Sequence, residues 1–153
     1  MTRDVWRIVK AKHADAAYSG EGARRFGGRW NSPGLSVVYM AESRSLAAME
    51  MLVHLNSQSL LGKYVIGRAV IQEKWIESVR SDSLPTNWRE FPASYELRAI
   101  GDRWLHAGKA AVLKVPSAVV EGEFNFLLNP THVDFHKIKI EEFQRFVFDK
   151  RLK

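Results

Sequence analysis

Short runs rich in β-branched and aromatic residues recur along this chain at irregular intervals, with only two helix-length segments between them. Residues 5–9 (VWRIV), 36–40 (SVVYM), 64–71 (YVIGRAVI), 110–115 (AAVLKV), 124–128 (FNFLL) and 135–140 (FHKIKI) each read as a strand. One helix is predicted from Arg44 to about Leu55, capped by Ser43, and a second from Pro92 through Leu105 to a stop at Gly108. Irregular spacing of this kind lacks the strand–helix–strand rhythm of a parallel sheet. The expected class is α+β, a single domain over 1–153 with a mostly antiparallel sheet that can be split.

The first helix carries an oddity. At about 100° per residue, Leu46, Met49, Met51, Leu52, Val53 and Leu55 cover most of its circumference, so it is expected to be largely buried. Glu50 and His54, one turn apart, share the remaining sector. A carboxylate there is costly unless it is paired, neutralised or open to a cleft. Two readings stand: a structural carboxylate satisfied by His54 or an arginine, or a group with a chemical task at the floor of a pocket. His54 itself either orients Glu50 or satisfies a core hydrogen bond.

A second feature is the stretch 20–34, GEGARRFGGRWNSPG, whose five glycines and one proline predict a structured loop without regular elements. Glycines beside Arg29 allow close backbone approach to a ligand, while the guanidinium offers a planar fork suited to phosphate. The spacing matches neither the dinucleotide-binding nor the phosphate-loop pattern. Tyr39 reads as a strand-end aromatic and Ser117 as a turn residue, unless a site recruits them. His132 and His136 lie badly for a metal, with only Asp134 nearby, so no metal is expected.

The bulk properties narrow the classes. Without cysteine there is no disulfide framework and no thiolate chemistry. The opening MTRDVWRIVKAKH lacks an apolar signal core, and no window nears the roughly 18 apolar residues of a membrane span. A cytoplasmic, membrane-free protein is expected. The net charge of +6 points to an anionic partner or ligand, but the basic residues are scattered, which is the pattern of a solvated surface.

Taken in order, GGRWNSPG, VVYMAES, LAAMEMLVH, VPSAVV and FNFLLNP followed by a histidine closely resemble the RES domain, from about Arg7 to Ile138. The resemblance implies a fold related to ADP-ribosyltransferases and a toxin of a type II toxin–antitoxin module that depletes NAD⁺. It implies an Xre-like antitoxin with a helix-turn-helix region that blocks the active site, a toxin homodimer in that complex, and contact with DNA only through the antitoxin. By motif, the family's arginine falls on Arg29, its tyrosine on Tyr39, its glutamate on Glu50 and its serine on Ser117. Arg24 is a further phosphate contact by the same likeness, and Gly28 and Asn31 flank the substrate. NAD⁺ is then a substrate, with no other cofactor.

The chemistry of these residue types agrees. Breaking the nicotinamide–ribose bond requires a grip on the diphosphate, a seat for the ring, and negative charge beside the sugar cation. Arg29 suits the first, the Tyr39 ring the second with its hydroxyl on the ribose, Glu50 the third, and Ser117 one more ribose hydrogen bond. Protein ADP-ribosylation is the close alternative. An RNA-binding or ribonuclease module is the distant one, motivated by charge and by Trp30 beside Arg29.

Overall fold

The computed structural model describes residues 1–153. Its backbone is one sheet built around β1 (Thr2–Lys10), whose β-branched and aromatic residues alternate across it. β1 pairs antiparallel with β3 (Tyr64–Gln72) over its whole length, from Thr2↔Gln72 to Lys10↔Tyr64. On its other side it meets β2 (Val38–Ala41) only at Trp6↔Ala41. The sheet is thus pinched there into two halves. One half continues from β2 through β6 (Phe124–Leu128) and β5 (Val112–Pro116) to β4 (Ile76–Ser78), which is parallel to β5. The other carries β7 (Lys139–Ile140) and β8 (Gln144–Phe146) on β3. All pairings but β4–β5 are antiparallel, as the irregular strand spacing predicts.

Strand alternation sorts the core onto the two faces. Val5, Val38, Met40, Ala69, Ile71, Val112, Phe126 and Leu128 share one face and one cluster. Their neighbours in sequence point the opposite way and fall into two separate clusters. Ile8, Ala41, Tyr64 and Ile66 pack under α2 (Arg44–Leu52), whereas Tyr39, Leu113, Val115 and Leu127 pack under α3 (Tyr95–Ala107). Tyr39 and Ala41 are alternate residues of the same strand, so the seam between the two clusters runs across β2.

Several expectations need correction. The segment 20–34 is not wholly irregular: Glu21–Phe26 forms a short helix, α1, with Gly20 at φ 75° before it and Gly27 at φ 73° after it. α2 begins at the Ser43 cap, whose Oγ accepts from the Leu46 N–H at 3.0 Å, but it ends at Leu52 and not at Leu55. The N–H groups of His54 and Leu55 instead bond three residues back and tighten the chain into a turn. Nor is α2 largely buried. Only its sheet-facing side, with Leu46, Ala47 and Leu52, is covered; Met49 is 43 % and Val53 54 % exposed, and His54 is exposed. α3 starts after Ser94, which caps Leu97, and not at Pro92. Of the alternating 135–140, only Lys139–Ile140 is strand. Phe135 packs on the core and Ile138 is buried, a spacing of three that a 3₁₀ turn over Phe135–Lys137 satisfies, leaving β7 two residues.

Candidate active site

The seam on β2 brings the expected side chains together. Glu50, on the side of α2 that looks across the seam, receives a hydrogen bond from the Ser117 hydroxyl at 2.8 Å. Ser117 closes β5 on the same face and is 1 % exposed. Its oxygen also accepts from the N–H groups of Val119 (3.1 Å) and Val120 (3.0 Å), which fix it in a turn. The single hydroxyl proton is therefore committed to Glu50. Ser117 orients the carboxylate, and its hydroxyl proton goes to Glu50 rather than outward.

Burial holds the Arg29 pKa below its usual value, and Glu50 and Tyr39 lie close enough to pull it back up. The guanidinium stays charged regardless. Its Nη1 donates to the carbonyls of Trp88 and Glu90, each at 2.9 Å, so half of the expected phosphate fork is tied to a strap of chain between β4 and α3.

Tyr39 presents only its ring. Its hydroxyl donates to Asn31 Oδ1 at 2.6 Å and accepts from the Trp30 N–H at 3.1 Å, and burial above all pushes its pKa far up. A ribose contact through this hydroxyl, as the sequence suggested, finds it already occupied. Asn31 is wholly buried: its Nδ2 donates to the carbonyls of Ala23, Ser32 and Leu35 at 3.0–3.1 Å, so its amide holds the loop together. Gly28 serves the same network, since a Cβ there would stand 2.5 Å from the Tyr39 hydroxyl oxygen. Removing that hydroxyl by Tyr39→Phe leaves a buried amide oxygen and a buried N–H unpartnered. The variant is expected to lose about 1–3 kcal/mol in denaturant unfolding, and an unchanged midpoint would contradict the network.

Arg24 is not drawn in. It is exposed and forks onto Glu21 at 2.8 and 2.6 Å, one turn away on α1. His132 is also spoken for, with Nδ1 accepting from the Asp134 N–H at 3.0 Å and Nε2 3.2 Å from the Lys109 carbonyl. Two cavities of about 420 and 400 Å³ lie elsewhere, one walled by Arg80, Arg103 and Trp104, the other by Lys10, Lys12 and Lys63. At the seam Arg29, Tyr39 and Glu50 stay part-exposed.

Sequence reasoning missed three contributors. Arg7 is set in the pinch between the half-sheets, where its Nη1 donates to the Tyr39 carbonyl at 2.8 Å. Its Nε and the nearby Tyr18 hydroxyl are buried without partners; burial lowers the Arg7 pKa and raises that of Tyr18 to about 12 against the opposing pull of Arg7. Asp102 on α3 accepts from both the N–H (2.8 Å) and hydroxyl (2.6 Å) of Ser32, clamping the glycine loop. Asn125 stands on the seam face of β6, opposite Ala41 and Val115. A charge among β-branched residues and an amide between Phe124 and Phe126 were the available signals.

Residues 4–149 match the model of the family described as the RES domain. Over 97 % of this chain and 99 % of the relative, the sequence is 37 % identical to Toxin Res of Yersinia enterocolitica. It is 38 % identical to the Prs ADP-ribosylating toxin of a Sphingobium species, covering 99 % of this chain and 98 % of that one. A chain from the crystal structure of the M. tuberculosis MbcT–MbcA toxin–antitoxin complex superposes with a TM-score of 0.77, covering 96 % of this chain and 85 % of the other at 18 % identity. That last likeness is one of fold.

Proposed function

This chain belongs to the RES-domain family, and from that premise we propose that it is the toxin of a toxin–antitoxin pair that splits NAD⁺ between nicotinamide and ribose. The observation that carries the proposal is the Ser117–Glu50 hydrogen bond, which aims a part-exposed carboxylate into the seam beside Arg29 and the Tyr39 ring. In the reaction the ribose C1′–N bond breaks and its electron pair leaves with the pyridine as neutral nicotinamide. An acceptor oxygen, from water or phosphate, forms the new bond to C1′ and gives up its proton. Glu50 stabilises the positive charge that grows on the sugar and fixes a ribose hydroxyl. The Tyr39 ring seats the nicotinamide. Arg29 meets the diphosphate with the nitrogens its strap does not occupy. The partner is an Xre-like helix-turn-helix antitoxin in a complex containing two toxin copies, and the setting is the cytoplasm.

A second reading, transfer of ADP-ribose to a protein, is favoured by the name of the Sphingobium relative. One experiment separates the two. Purified protein is incubated with NAD⁺ labelled in the adenylate half, with and without cell extract, and both nicotinamide and label are followed. Free nicotinamide with all label in small molecules supports cleavage, label on a polypeptide supports transfer, and no nicotinamide at all defeats both. Tyr39→Phe is expected to keep kcat within a few-fold, because the ring remains, whereas Tyr39→Ala loses the seat.

A further inference from the structure

The strap that occupies Arg29 also reaches the other wall of the seam. Trp88 and Glu90 hold Arg29 Nη1 through their carbonyls, and Arg89 between them extends to the Ala118 carbonyl at 3.3 Å, next to Ser117. The contacts form a ring around the site: Arg29 to the strap, the strap through Arg89 to Ala118, Ser117 to Glu50, and Glu50 back to the field of Arg29. Arg89 is the loosely held member. Its carbonyl contact is long, its nearest carboxylate, Glu121, is 3.9 Å away with a side chain 89 % exposed, and its guanidinium lies 5.8 Å from the Trp88 ring centre. Such a pair in water contributes little.

Charge balance gives this arginine a task. A dinucleotide diphosphate carries two negative charges, and Arg29 has already committed one nitrogen to the strap. Arg24 is engaged with Glu21 on the surface. We propose that Arg89 is a second diphosphate-binding residue, carried over the seam by the strap that Arg29 fastens. This rests on the NAD⁺-cleaving reading above. Arg29 then has two jobs, while Arg89 has one: it exchanges a weak carbonyl contact for a charge-assisted pair with a phosphate oxygen.

The test uses the whole chain. KM and kcat for nicotinamide release from NAD⁺, and Kd for ADP-ribose, are measured across a salt series for wild type, Arg89→Gln and Arg89→Lys. Arg89→Gln is expected to raise both KM and Kd by roughly 10- to 100-fold with kcat within about 3-fold, and to flatten the salt dependence of binding. Arg89→Lys recovers part of the loss, because a point charge replaces the fork. Unchanged KM and Kd in an active Arg89→Gln protein overturn the assignment and leave the NAD⁺ reading standing. A fall confined to kcat also overturns it, since that reports a strap that merely shapes the site. If wild type releases no nicotinamide, both readings fall together.

Discussion

Glu50→Gln is expected to lower kcat for nicotinamide release by roughly 10²- to 10³-fold, with KM for NAD⁺ and the melting temperature little changed. The amide is nearly the same size as the carboxylate, and its carbonyl oxygen can still accept from the Ser117 hydroxyl, now 2.8 Å from Glu50 Oε1. α2 keeps its packing through Leu46, Ala47 and Leu52, none of which is disturbed. The loss is the negative charge that opposes the cation forming on the sugar, an interaction stronger in the transition state than in the bound substrate. Such a loss appears in kcat. Steady-state kinetics on a variant whose unfolding curve overlays the wild type decides the matter. A kcat within a few-fold of wild type would remove Glu50 from the reaction and return it to the structural role the sequence also allowed.

Ser117 sharpens the same point. It is buried and gives its only proton to Glu50, so it is a positioning residue, and Ser117→Ala should lower kcat less than Glu50→Gln does.

What the sequence revealed follows from range. Strand and helix character depends on neighbours along the chain, and residues 5–9, 64–71 and 124–128 carried enough β-branched and aromatic side chains to be read directly. Glu50 announced itself as a carboxylate in an apolar helix. The limits have equally physical causes. The apolar spread of α2 predicts a largely buried helix, but a helix laid on one sheet face leaves Met49 and Val53 to solvent. Asn31 and the Tyr39 hydroxyl looked available because nothing local shows that they bond each other. The strap on Arg29 joins residues about sixty positions apart, a pairing that no periodicity encodes. Arg7 is a strand residue, as its neighbours predict, but the pinch its side chain fills exists only once β1 and β2 diverge.

The largest stability effect is expected from a single methyl group at Gly101. In an unpacked helix, Gly→Ala would stabilise by about 1 kcal/mol, since alanine loses less backbone freedom on folding. Here the added Cβ would stand 1.7 Å from the Trp30 carbonyl oxygen and 2.8 Å from its carbonyl carbon. No flexible side chain can swing aside, so α3 and the glycine loop must separate by roughly 1.5 Å or more to regain normal contact. That movement opens the packing of Trp30 on Leu97 and Trp104, and strains the Asp102–Ser32 clamp one residue along α3. Overpacking against backbone outweighs the propensity gain, for a net loss of about 3 kcal/mol and a melting temperature roughly 6–12 °C lower. Activity should fall as well, because the displaced loop carries Arg29 and the Trp30 N–H that seats Tyr39. Gly22 in α1 is the internal control: a Cβ there meets nothing within 4 Å, so Gly22→Ala should melt at or slightly above wild type. If Gly101→Ala melts as high as Gly22→Ala, then α3 does not press on the loop, and the site is held in place by something other than this contact.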